Sequence, residues 1–492
     1  MPTRVYILLS VLCLLLQTGK AQIYFSNRYD NFNNGDINTG ITFFENEYLT
    51  YGCAANTHSF YSLNLGLTNL TGVRTVNKTY NYYSNRLVPH NGKALRYANH
   101  EFSIAGTRFY ASDTSLVFLW RFDANLDSIK YQEYGYLNKT NQVFGIIRGA
   151  GNAIYLTGSV DSLYKNADIL LIKTDTLGNE LWKKKIGLST WDETALSIDT
   201  LNGKLIISGN QMPHASSSTS GFVMYLDTAG NTIWQKTVIT NGGYGGCVAK
   251  KLKDGNVLIY SRIKKYSIGS VDYYKLQVEK IDAANTTIWL KEYYPLGGSN
   301  PYAMIENNDG NMVICGQRGY TNNTVSGTVY EINQNGDSLF YREYRILPNS
   351  QNYFRDVIQA PDKGYCFSGF VSPLNGDGGT QDIWLLKVDS NFCESAGICT
   401  TGIYDREMGS GSVSVYPNPA NSEVYFEFEE QPSKPLWIEL SNTRGSSVYT
   451  AIIQNTHEPY RLNLSNFAEG VYFYRLSAGA GYLKTGKIVV IK

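Results

Sequence analysis

Side chains suited to acid–base, nucleophilic or metal chemistry are thinly spread through this 492-residue sequence. Its five histidines, His58, His90, His100, His214 and His457, stand far apart, and none sits in the His-Glu-x-x-His spacing that binds zinc. No Gly-x-Ser-x-Gly run presents a nucleophilic serine, and no glycine-rich loop is built to cradle phosphates. What the sequence offers instead is aromatic surface, with 39 tyrosines and seven tryptophans. Trp191 with Asp192, Tyr244, Tyr320 and Tyr353 fall in segments that connect strand-like runs. There a ring can stack on a sugar or anchor a protein, and the polar neighbours can hydrogen-bond it. The same ring types pack between sheets, and Trp182, Trp234, Trp289 and Trp384 are assigned to packing. The Asn375-Gly376-Asp377 loop suits calcium and equally suits a solvated turn; no other cofactor is expected.

The elements that position these residues repeat. An apolar run ends in Asp or Asn, passes a Gly or Asn, and resumes with Trp or Phe, as in Asp175, Gly178 and Trp182. The turn residues Asp123, Asp175, Asp227, Asp282, Asn333 and Asp389 are 52, 52, 55, 51 and 56 positions apart. At such a turn an acid bonds the backbone and Gly tolerates positive φ, so these acids are read as turn formers. A second hairpin begins near Tyr48, Phe102, Ile154, Leu205, Val257, Met312 and Tyr365, often ending in Gly, as at Gly158, Gly209, Gly316 and Gly369. Four short strands per repeat predict an all-β, seven-bladed β-propeller, with an eight-bladed or open arrangement as the fallback. The last repeat loses its fourth strand after Asp389, and the run from Ile23 to Tyr29 is expected to supply it, closing the ring.

With 43 Lys plus Arg against 42 Asp plus Glu, no basic excess exists to bind nucleic acid. Residues 1–21 combine Arg4, an apolar run from Val5 to Leu16 and small residues before Gln22, the pattern of a signal peptide. No later run is long and apolar enough to span a membrane. Export permits disulfides, and Cys393 with Cys399 is the best-placed pair, although both thiols could equally be free; Cys315 and Cys366 read as buried thiols. The propeller is assigned to 22–393, a linker to 394–411 and a small immunoglobulin-like β-sandwich to 412–492.

Asp382-Ile383-Trp384-Leu385-Leu386-Lys387-Val388-Asp389 resembles the bacterial secreted propeller repeat and, more distantly, the quinoprotein repeat. The run from Asp227 to Trp234 faintly resembles the sialidase box but lacks its spacing. The C-terminal runs VYPNPA, IELSNTRGSSVY, LNLSNFAEGVYFYRL and KTGKIVVIK resemble the type A sorting domain of the type IX secretion system of Bacteroidota. Matching positions are Tyr416, Pro417, Asn418, Pro419, Ala420, Gly445, Gly470, Tyr472 and Lys487. The resemblance implies passage through the periplasm, recognition by the secretion machinery, and release or attachment to surface lipopolysaccharide. For the large domain two functions stay open: a surface or secreted binding protein for a glycan or protein, and a secreted hydrolase of extracellular glycans or peptides. Paired acids at the channel mouth would favour the hydrolase; aromatics and amides there would favour binding.

Overall fold

The structure is a computed structural model that describes residues 22–31, 35–55, 61–81, 85–110, 114–161, 167–187, 190–214, 218–240, 246–268, 271–320, 323–374, 379–395, 413–428, 436–453, 458–478 and 481–492. The expected signal peptide 1–21, Tyr244, Cys399, most of the expected linker 394–411, and the Asn375–Asp377 loop lie outside the described residues.

Among the described residues before 396, strand pairing can be followed as seven successive antiparallel groups of four, almost all in chain order, the fifth to seventh being joined into one 11-stranded sheet. Asp36–Phe44, Asn141–Arg148, Trp191–Leu201, Cys247–Lys251 and Ser350–Gln359 each open a group. In the second group this first strand is split into Arg86–Pro89 and Leu95–Arg96, both paired with Phe102–Phe109. One continuous strand, Thr287–Glu306, closes the fifth group and opens the sixth. The seventh group lacks a fourth strand of its own, and Phe25–Tyr29 fills the place, pairing antiparallel with Asp382–Val388 from Phe25 opposite Lys387 to Tyr29 opposite Ile383.

Most middle strands are buried along nearly their whole length because each sheet is covered on both faces. Seven separate buried clusters lie between neighbouring groups. Phe44, Tyr51, Phe102 and Phe122 join the first to the second, and Ile41 and Tyr48 meet Ile358, Ile383 and Leu385 to join the first to the seventh. The groups therefore close on themselves, leaving the sheets no free lateral face to cover.

The turn residues behave as their spacing predicts. Asp123, Asp175, Asp227, Asp282, Asn333 and Asp389 each accept, on one side-chain oxygen, the N–H groups two and four residues on. Asn69 does the same in the first group, bonding Thr71 and Val73.

Five of these seven turns also receive a tyrosine hydroxyl from the preceding outer strand. Tyr293 donates to the Gly336 carbonyl at 2.7 Å and Tyr344 to Phe392 at 2.8 Å, while Tyr80 and Tyr134 donate to Leu126 and Gly178. Every acceptor carbonyl belongs to a residue at positive φ, which turns its oxygen toward the neighbour. Tyr29 makes the same bond to Gly72 at 2.7 Å, so the N-terminal strand is joined to the first group as four other outer strands are joined to the next.

Residues 413–492 form a second unit of two small sheets. Val413–Tyr416, Glu423–Phe428 and Tyr460–Asn463 make one; Ser447–Ile453, Leu436–Asn442, Gly470–Ala478 and Gly481–Val490 make the other. Phe426, Ile438, Leu440, Leu476 and Ile488 are among the residues of the single core between them.

Candidate functional site

Most first strands carry a one-residue bulge at the same height. The pairing register shifts between Asn38 and Gly40, Val143 and Gly145, Ala195 and Ser197, Pro301 and Ala303, and Phe354 and Asp356. The extra residues are Thr39, Phe144, Leu196, Tyr302 and Arg355. Opposite each bulge the second strand places a glycine: Gly52, Gly158, Gly209, Gly316 or Gly369. A Cβ at any of the five would overlap a carbonyl oxygen of the bulged strand, which is why the repeat ends its second strand in Gly.

The bulges aim side chains into a cavity of about 450 Å³, within the range of small-molecule sites. Phe144, Leu196, Tyr302 and Arg355 line it. The split first strand of the second group adds His90, Asn91, Gly92 and Lys93, and the fifth group adds Lys250 and Arg262. Six groups thus contribute to one cavity, lined mostly by first strands and in the fifth group also by Tyr260, Ser261 and Arg262 of its second strand.

Its polar groups are of two kinds. Asp356, 1% exposed, is held by Lys93 at 2.5 Å, by the Ile41 N–H at 3.0 Å and by the Val357 N–H at 2.8 Å. Asp199 accepts the N–H groups of Thr200 at 2.7 Å and Lys251 at 3.0 Å. His90 sets Nδ1 2.9 Å from the Ala105 carbonyl and Nε2 3.2 Å from the Lys93 carbonyl, and burial holds its imidazole below the ordinary value. These groups serve the walls. By contrast, the Arg355 guanidinium lies 4.1 Å over the Tyr302 ring and makes no ion pair, and Lys250 also lacks a carboxylate partner among the described residues. Arg262 donates to the Asn300 side-chain oxygen at 2.6 Å.

The residues singled out from the sequence lie elsewhere. Trp191 starts its strand opposite Pro213, and Asp192 accepts the Ala167 N–H at 2.9 Å and lies 3.3 Å from His214. Tyr353 stacks on Phe370 at 4.4 Å and donates to Gln351 at 3.0 Å. Tyr320 donates to Glu343, which also takes Arg318 at 2.7 Å and Tyr341 at 2.6 Å. The second group repeats this set with Tyr110, Arg108 and Tyr131 around Glu133. Burial opposes ionisation of Glu133, yet the three hydrogen bonds hold its carboxyl below the ordinary value. Tyr320 is thus part of a recurring half-buried network, and none of these four residues lines the cavity. The residues that do include Arg355 and Tyr302, at bulges opposite second-strand glycines, and Lys250 and Lys93, at no such bulge; none of the four is marked by a pattern of residue types in the sequence.

Cys393 is engaged in a disulfide, while Cys53, Cys247, Cys315 and Cys366 are buried free thiols. Among the described residues no group of three His, Cys, Asp or Glu side chains is placed to hold a metal ion.

In the C-terminal unit, the matching residues tie the segment after the first strand to the last strand. Asn418 donates to the Lys487 carbonyl at 2.7 Å and accepts the Val489 N–H at 2.8 Å. Ala420, fully buried, bonds Val489 and Ile491 at 2.8 Å each. Gly445, at φ +77°, turns the chain after Asn442, and Tyr472 donates to the Ala468 carbonyl at 3.0 Å. Residues 414–492 match the family model of the secretion system C-terminal sorting domain.

This unit is a type IX sorting domain. It directs the protein to the cell surface or beyond it, which implies contact between the sorting domain and the secretion machinery. No helix among the described residues is long and apolar enough to cross a membrane.

Three solved structures are similar at low identity. A Dyadobacter fermentans protein of unknown function is 10% identical, with TM-score 0.43, covering 61% of this chain and 94% of that one. The Penicillium chrysogenum α-L-arabinanase complexed with arabinobiose is 13% identical, with TM-score 0.42 and coverages of 61% and 93%. The β-propeller domain of the Pyrococcus furiosus Trilobed protease is 10% identical, with TM-score 0.39 and coverages of 73% and 97%. Similarity this distant says nothing of activity. No curated protein matches the chain.

Proposed function

We propose that the protein is a non-enzymatic binding protein of the cell exterior. Its seven strand groups are the blades of a β-propeller that takes a glycan or protein ligand in the central cavity. The sorting domain is an immunoglobulin-like sandwich, residues 1–21 are a signal peptide, and Cys393 pairs with Cys399.

The observation that carries this reading is the state of the cavity's carboxylates. A glycosidase needs one carboxyl to donate a proton and a second to attack or to activate water. Here Asp356 is occupied by Lys93 and two backbone N–H groups, and Asp199 by two more. Both acids are held by backbone N–H groups, while the Arg355 guanidinium and the Lys250 ammonium that line the same cavity have no carboxylate partner among the described residues.

The test is a screen of the secreted chain against bacterial, plant and host polysaccharides, following both saturable binding and new reducing ends. Binding without new ends is the expected result. Released sugars would overturn the non-enzymatic reading in favour of the hydrolase.

A further inference from the structure

The cavity is electrostatically lopsided in a protein that is not. Overall charge is nearly balanced, at +1. Inside the cavity four cations, Lys93, Lys250, Arg262 and Arg355, face two carboxylates that are already bonded. A concave site with low-dielectric walls concentrates such an excess on whatever enters it.

Arg355 decides the chemistry. Its guanidinium carbon lies 4.1 Å from the centre of the Tyr302 ring and 5.3 Å from that of Phe370, so aromatic contacts restrict where it sits. Among the described residues no hydrogen bond or ion pair takes up its N–H edge, and that edge matches a planar carboxylate with two parallel bonds. Phe144, Ile146, Leu196 and Ile198, from the third and fourth groups, supply an apolar wall. An occupant must then present one carboxylate and one weakly polar face. A uronic acid does so: its carboxylate projects from a pyranose ring whose C–H face packs on apolar surface.

Resting on the binding reading above, we propose that the cavity binds the uronic acid units of acidic polysaccharides, with Arg355 holding the carboxylate and Lys250 adding charge. Neutral sugars leave Arg355 without its partner and are rejected. Arg355→Gln removes the charge and the paired donors, and lowers affinity by about tenfold or more, the loss expected for a charge-assisted pair. Arg355→Lys restores the charge without the fork and falls between the two.

The experiment is calorimetric titration of the full secreted chain with a galacturonate oligomer, with a neutral galactose oligomer of the same length, and with a poly-glutamate peptide. Binding of the galacturonate oligomer alone, weakened by salt and by R355Q, is the expected result. Lys250→Gln, which leaves the Tyr302 stack untouched, must weaken the same ligand, so a misfolded R355Q cannot decide the matter. Equal binding of acidic and neutral sugars, with R355Q and K250Q unchanged, would overturn the uronate assignment and leave the binding reading standing. Preference for the acidic peptide would overturn it in favour of a protein ligand. Hydrolysis of the galacturonate oligomer would instead remove the binding reading on which it rests.

Discussion

Gly369→Ala should destabilise the large domain far more than its single methyl group suggests. The added Cβ would overlap the Tyr353 carbonyl oxygen and stand 2.7 Å from its carbon and 3.0 Å from the Phe354 Cα. Carbon atoms pack best at about 3.5–4.0 Å, so the bulged strand must retreat by about 1 Å. It has nowhere to go: the fully buried Phe354 ring is stacked 4.5 Å from Trp384 and 4.9 Å from Phe367. Overpacking of this kind costs ~1–3 kcal/mol, and a site this confined belongs near 3. At ~2.1 cal/mol/K of unfolding entropy per residue over roughly 370 residues, Tm falls by about 4 °C. Gly319→Ala is the control, since a Cβ there meets nothing within 4 Å; it should be neutral or gain up to ~1 kcal/mol from the stiffer unfolded chain. Scanning calorimetry compares the two variants. A Gly369→Ala protein melting within about 1 °C of wild type would refute the claim that the bulge dictates the glycine.

Burial pushes the Asp36 carboxyl up to about 6. The folded chain therefore keeps a proton that the unfolded chain releases near pH 4, and stability falls, by of order 2 kcal/mol, as pH rises from 4 to 6. Asp36→Asn should flatten that slope in urea titrations at pH 4.5 and 7; an unchanged slope would show that the carboxyl is already ionised. Burial also pushes the thiols of Cys53 and Cys247 up to about 12, and those of Cys315 and Cys366 up as well. Iodoacetamide at pH 8 should label none of the four until the chain is unfolded, read by intact mass. Tyr29→Phe removes the hydroxyl bonded to Gly72 and should cost ~1 kcal/mol, as should Tyr293→Phe at its equivalent place. Denaturant titration showing a loss for only one of them would break the equivalence of the closing strand with the other outer strands.

What was legible in the sequence was whatever recurs. Asp175 and its five counterparts recur because the turn needs a side-chain acceptor, and Gly158, Gly209, Gly316 and Gly369 recur because a carbonyl passes over them. Asn69 carries a weaker signal because Val76 stands after its turn where Trp182, Trp234 and Trp289 follow the turns at Asp175, Asp227 and Asp282. The site was not legible for the opposite reason. The bulged positions hold Thr39, Phe144, Leu196, Tyr302 and Arg355, alike in backbone and unlike in side chain, so no pattern of residue types marks them. Trp191 and Tyr320 drew attention as aromatics in connecting segments, but a ring's job depends on partners distant in sequence, such as Glu343 for Tyr320.

The strand Phe25–Tyr29 also imposes an order of events. Arg28 finds Asp382 at a sequence separation of 354 residues, so on a chain emerging N-terminus first, this strand waits without a partner until the last group has been made. Until then the edge of Asp382–Val388 and the apolar faces of the first and seventh groups stay open to other chains. Joining them comes last, and it comes only for a chain made to the end, so a truncated product keeps an unpaired edge that marks it for aggregation or proteolysis.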